Sequence, residues 1–150
     1  VFYGVYEGED SATPGRFVQG NKHYDPDDKY EDQLHALGHR FVKAKLPGLL
    51  SPDTWMASTR SGSIVPYHKR PLMRAVVDKT TIKAGGSDAA VLTGAPKNVR
   101  CMVHGAGEML HDIVLPDGEL ELSIPVPITY RVVLEKWPYQ MFTVDIEASA

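Results

Sequence analysis

At 150 residues the chain has room for one ordinary domain, or a small domain with an extension, which excludes a large multidomain enzyme. Sixteen Lys and Arg against nineteen Asp and Glu give a formal charge of −3, too balanced for a protein that grips nucleic acid through a broad basic face. With 43% hydrophobic and 23% charged residues, the composition is that of a folded globular chain rather than a disordered one.

The single cysteine, Cys101, cannot close an intramolecular disulfide, so stability is expected to come from packing. Val1 to Tyr6 lack the basic start and apolar run of a signal peptide, and no stretch approaches about 18 consecutive apolar residues. Neither an export leader nor a membrane partner is expected.

Hydrophobic period divides the chain after Arg70. Strict alternation is rare before Leu72 and frequent beyond it. In the first part, Phe2 to Tyr6 and Arg16 to Gln19 are expected to pair as a hairpin across the polar Glu7 to Gly15 stretch, with Pro14-Gly15 as its turn signal. Asp28 to Leu37 is the one predicted helix: Asp27 or Asp28 caps it, Glu31 and Asp32 suit its first turn, and Gly38 ends it. From Lys43 to Pro71, prolines at 47, 52, 66 and 71 break every periodic run. That segment is expected to be an extended arm laid over the domain or a neighbouring subunit.

The second part reads as strands. Shorter candidates are Thr80 to Ala84, Ala89 to Thr93 and Met109 to Leu115, separated by Gly85-Gly86, Gly94 to Pro96 and Gly105 to Gly107. Val99, Cys101 and Val103 alternate with Arg100, Met102 and His104; Leu120, Leu122 and Ile124 alternate with Glu119, Glu121 and Ser123 after the Asp117-Gly118 turn. Tyr130, Val132 and Leu134 share one side of Ile128 to Glu135. Phe142, Val144, Ile146 and Ala148 share one side of the last strand. Gaps this short exclude the helical crossovers that a parallel sheet needs. The expected fold is mainly β: an antiparallel immunoglobulin-like sandwich over residues 71–150, with a small β-barrel as the alternative. Residues 1–70 supply the hairpin, one short helix and the extended arm.

Several constellations bear on chemistry. His35 and His39 lie four apart, the helical spacing that can hold zinc, but Ala36 stands where the metalloprotease motif has Glu and Gly38 breaks the turn; they read as solvated helix-face histidines. Asp25, Asp27, Asp28, Glu31 and Asp32 form the densest carboxylate run. Tyr30 stands where a calcium loop needs Gly, so the run reads as negative charge at a helix start. Cys101 sits among Val99 and Val103 as a small buried hydrophobe. No nucleophile-elbow pattern surrounds Ser58, Ser61 or Ser63. Gly105-Ala-Gly107 lacks the third glycine and the helix of a dinucleotide fingerprint, and no phosphate-binding loop occurs. A non-enzymatic protein with no catalytic residue, metal or cofactor is expected. Trp55, Tyr67, Trp137 and Tyr139 remain as interface or ligand candidates, since aromatic rings near turns serve sugar stacking or subunit contacts; closing the end of the sandwich is the alternative for Trp137 and Tyr139.

Taken together, Trp55-Met-Ala-Ser-Thr-Arg-Ser-Gly62-Ser-Ile-Val-Pro66, Thr81-Ile-Lys-Ala-Gly-Gly-Ser-Asp88-Ala-Ala-Val91 and Tyr130-Arg-Val-Val-Leu-Glu-Lys-Trp-Pro-Tyr139 resemble small structural proteins of tailed bacteriophages. The middle segment is also similar to the Ala-Asp-Gly strand pair of bacterial immunoglobulin-like domains, with Gly85 where those have Asp. The resemblance implies a virion structural component, associated with the tail, its fibres or baseplate. Such a component is made in the host cytoplasm and assembled in many copies with other virion proteins. A capsid decoration protein is a variant of this reading. A carbohydrate- or receptor-binding module, with a host surface glycan as partner, is an alternative of another class.

Overall fold

The computed structural model describes residues 2–7, 15–22, 29–44, 53, 55–57 and 67–150. Two compact units divide the chain between Arg70 and Pro71.

In the first unit, β1 (Phe2–Glu7) and β2 (Gly15–Lys22) form the expected antiparallel hairpin, longer than the sequence indicated, with a register shift between Val5 and Tyr6. Helix α1 spans Lys29–Ala36. It stops one residue short of the expected Leu37 because Gly38, at φ +72°, takes the left-handed conformation. The Gly38 N–H then donates to the His35 carbonyl and the His39 N–H to the Leu34 carbonyl, each at 3.0 Å, a closed C-terminal cap. Its proposed N-caps, Asp27 and Asp28, lie outside the described residues.

The stretch expected to run as an arm carries three strands within its described parts. β3 (Arg40–Ala44) pairs with β1, β4 (Trp55–Ala57) with β2, and β5 (Tyr67–Lys69) with β4, giving the order β3-β1-β2-β4-β5. Of the prolines that broke the periodicity, those at 47, 52 and 66 fall between these strands in sequence and Pro71 follows the last of them, and three-residue strands are too short to show a period. On one face Tyr3 and Val5 bury against Leu34 of α1, with Tyr30 and Phe41 packed beside them. The Tyr3 and Tyr30 rings meet edge-on at 5.1 Å. Beyond the register shift, Tyr6 packs edge-on against Phe17 at 6.3 Å, and the Arg40 guanidinium lies 4.9 Å from the Tyr6 ring.

The second unit is a β-sandwich. Its strands are β6 (Val76–Val77), β7 (Thr81–Lys83), β8 (Ala89–Thr93), β9 (Val99–Gly105), β10 (Glu108–Leu115), β11 (Leu120–Ser123), β12 (Thr129–Glu135) and β13 (Phe142–Ser149). One sheet has the order β10-β9-β12-β13-β7 and the other β11-β8-β6. Every pairing is antiparallel except that of β7 with β13. The chain changes sheets between β6 and β7, β7 and β8, β8 and β9, β10 and β11, and β11 and β12. Neither sheet closes on itself as a barrel.

Alternation places the core. Val99, Cys101 and Val103 of β9 and Tyr130, Val132 and Leu134 of β12 point inward, where they meet Ala90 and Leu92 of the opposite sheet and Ile146 and Ala148 of β13. Leu134 is wholly buried. Burying one such side chain is worth about 1.5–3 kcal/mol. The turns follow their glycines. Asp117-Gly118 turns the chain as expected, with Gly118 at φ +70° donating to the Leu115 carbonyl at 3.2 Å, but it carries the chain from one sheet to the other rather than closing a hairpin. Asp88 organises the turn between β7 and β8: it accepts the Lys83 N–H at 2.9 Å and pairs with the Lys79 ammonium.

Candidate functional site

The four aromatic candidates divide between the two units. In the first, Trp55 is half-buried on β4 opposite Lys69, and Tyr67 pairs with Ala57 along the same ladder; the Tyr67 side chain lies outside the described residues. Arg70 braces this ladder by donating to the Asp53 carbonyl at 3.2 Å. In the second unit, Trp137 and Tyr139 are half-buried in the turn between β12 and β13, which contains a cis Trp137-Pro138 bond. The Tyr139 N–H donates to the Lys136 carbonyl, and the next N–H, of Gln140, donates to the Pro71 carbonyl, both at 2.8 Å. Tyr139 thereby stands over the first residues of its unit. With Leu72, Arg74 and Pro96 it lines a depression of about 450 Å³. Trp137 does not line it.

A second depression, of about 500 Å³, lies on the outer surface of the five-stranded sheet beside the β9–β10 turn. His104, Thr129, Arg131 and Asp145 supply its polar groups. Arg131 forks onto Asp145, Nε to Oδ1 at 2.9 Å and Nη2 to Oδ2 at 3.2 Å, and this hydrogen bonding holds the Asp145 carboxyl below the usual carboxylate range. The guanidinium and carboxylate occupy one another, so neither is presented as an acid, base or anion receptor.

The residues with potential chemistry do not converge. His35 sits on α1 with its ring 4.9 Å from Phe41, while His39 follows the helix cap, so the four-residue spacing is not a helical one. Among the described residues no group of three His, Cys, Asp or Glu side chains could hold a metal ion. Asp25, Asp27, Asp28, Ser58, Ser61 and Ser63 lie outside the described residues. Cys101 is fully buried, and burial pushes its thiol above the ordinary value, the opposite of what a nucleophile needs. No helix among the described residues is long and apolar enough to cross a membrane.

Sequence reasoning missed the most unusual surface. β10 is the outermost strand of the five-stranded sheet, and seven of its eight residues are exposed, Leu115 alone being buried. Met109, Leu110, Ile113 and Val114 account for four of the ten large hydrophobic side chains exposed among the described residues. The three-stranded sheet opposite is two strands too narrow to cover its partner. A signal was available: Met109-Leu110 and Ile113-Val114-Leu115 put apolar groups on both faces, where a half-buried strand keeps to one. Neither a protein-family model nor a curated protein sequence matches the chain.

Proposed function

We propose that the chain is a structural component of a tailed-phage particle, associated with the tail, its fibres or baseplate, and that it works by protein–protein contact rather than turnover. The observation that carries the assembly part of this reading is the open, apolar β10 edge. An eight-residue edge strand with four exposed large hydrophobic side chains is a surface that folded proteins ordinarily blunt or cover, and many-copy assemblies cover it with a neighbour. The phage setting rests on the resemblance of the Trp55 to Pro66, Thr81 to Val91 and Tyr130 to Tyr139 segments. Mass spectrometry of particles purified away from free protein tests it. The chain is expected in multiple copies per particle, and particles lacking it overturn the reading.

The depression beside Tyr139 favours a second reading, a glycan- or receptor-binding module. It combines an aromatic ring with Arg74 and an open volume of about 450 Å³, the size of a small-ligand cleft. Tyr139→Ala is then expected to weaken retention on host-cell glycans without unfolding the protein. Failure of the intact chain to bind any glycan on an array removes this reading.

A further inference from the structure

We infer that β10 pairs edge to edge with β10 of a second copy of this chain, antiparallel about a two-fold axis centred on Ile113. The two five-stranded sheets then become one. The inference names the partner for the assembly reading above and rests on it.

β10 has β9 on one side, and among the described residues its other side is the end of the sheet. Backbone N–H and C=O groups along such an edge are a template for another strand. Which strand fits is limited by the register. β10 pairs regularly with β9 from His111 to Leu115, opposite Val103 to Val99, and a bulge at Leu110 interrupts the ladder beyond. A bulge bends and twists its strand, so the regular edge offered to a partner is the five residues His111 to Leu115. Ile113 is their centre.

A two-fold axis perpendicular to a sheet keeps each side chain on its own face, so each residue must meet one of the same parity. Centring on Ile113 sets Ile113 against Ile113, Asp112 against Val114 and His111 against Leu115, and it uses all five residues. Centring on Asp112 would set two carboxylates directly opposite, which is destabilising. Centring on Val114 would bring Pro116, which has no N–H to donate, opposite Asp112. The charge in the middle of the strand is also already answered from its own sheet: Arg100 forks onto Asp112 at 2.9 and 2.8 Å. Asp112 therefore meets the partner's Val114 as half of a neutral pair. Side chains of both faces contribute, Ile113 at 42% exposure on the inner face and Val114 at 58% on the outer.

The size of the contact sets its strength. Five paired residues a side fall short of the roughly 800 Å² per partner of a stable complex. The pair is thus expected to dissociate in the micromolar range in solution and to be complete where copies are crowded on a particle.

The test uses the intact chain. Sedimentation velocity from about 1 µM to about 200 µM should move the parent from monomer towards dimer. Ile113→Lys and Val114→Lys, both at exposed positions, should remain monomeric throughout with unchanged circular dichroism. Register is read by cysteine scanning. In this pairing the two copies of residue 113 face each other at the roughly 5.5 Å Cα separation or less that a disulfide needs, whereas the two copies of residue 111 are about 13 Å apart along the strand. Ile113→Cys should therefore cross-link on mild oxidation, and His111→Cys should not. A parent that stays monomeric to about 200 µM, a dimer that survives both lysine variants, or cross-linking at 111 in preference to 113 overturns the proposal. A monomer still recovered in purified particles defeats self-pairing while leaving the assembly reading intact; a dimer absent from particles does the reverse.

Discussion

Arg100 and Asp112 sit diagonally across β9 and β10 and are joined by two parallel hydrogen bonds, Nε to Oδ1 at 2.9 Å and Nη2 to Oδ2 at 2.8 Å. The same fork recurs between Arg131 and Asp145 across β12 and β13. Arg100 also reaches Glu135 of β12 at 3.6 Å, so one guanidinium spans three strands of the open face. These pairs are largely exposed, and exposed pairs are worth little as attraction. Their planar geometry instead selects register, because a slip by one residue would turn every charged group on this face towards the core.

Acid should expose what the pairs contribute. Asp112 and Asp145 are held below the ordinary carboxylate value by hydrogen bonds from Arg100 and Arg131, and Asp88 by its bond from Lys79 and the Lys83 N–H. A carboxylate whose folded value is depressed stabilises the protein above its unfolded value, near 3.8, and loses that contribution as pH falls through the folded value. The variant carrying Asp88→Asn, Asp112→Asn and Asp145→Asn is expected to unfold at lower urea than the parent at about pH 6, and the two midpoints should converge at about pH 2. A gap that stays constant across that range would show that ionisation of these groups is irrelevant to stability.

Two left-handed glycines separate backbone strain from crowding. Gly107 is at φ +78° and a Cβ there would meet nothing within 4 Å, so Gly107→Ala should cost about 1–2 kcal/mol, the conformational term alone. Gly118 is at φ +70°, and a Cβ there would fall 2.1 Å from the Ala95 carbonyl oxygen, a backbone atom that cannot swing aside. Gly118→Ala should cost more than Gly107→Ala by about 1–3 kcal/mol of overpacking. Urea unfolding of the two variants side by side checks the order.

The sandwich was legible because its inward positions obey a two-residue period. Val99, Cys101 and Val103, and Tyr130, Val132 and Leu134, stand in the sequence as they stand in the core. The three-residue strands β4 and β5 carry no such period, and their membership of a sheet depends on partners distant in sequence, Arg16 of β2 for Met56 and then Met56 for His68. Trp55 and Tyr139 were identifiable as residue types, but only packing decides that Tyr139 lines a depression and Trp137 does not. The apolar groups on both faces of β10 stand in the sequence, but the exposure of its inward-facing Ile113 depends on the width of the opposite sheet, which is a property of topology.

Cys101 offers a direct reading of core opening. It is fully buried between Val99 and Val103, and burial raises its thiol above the ordinary value, so the reactive thiolate is scarce as well as inaccessible. Under native conditions a maleimide should label the chain only as fast as the sandwich opens, and at once in denaturant. Rapid stoichiometric labelling of the folded protein at neutral pH would place Cys101 on a mobile edge rather than in the core.

Residues 71–150 should fold without the first unit. Their core draws on both sheets of the sandwich, and the bond from the Gln140 N–H to the Pro71 carbonyl ties the start of the unit to its β12–β13 turn. A fragment beginning at Pro71 should unfold cooperatively in urea, and one beginning at Arg74 should be less stable, having lost that tie. Within the longer fragment, Leu134→Ala should lower stability by about 2–5 kcal/mol because Leu134 is wholly buried between the sheets. Leu72→Ala, at 73% exposure, should change it by less than about 0.5 kcal/mol. Broad unfolding of the Pro71 fragment, with both substitutions alike in effect, would mean that the sandwich is not a folding unit.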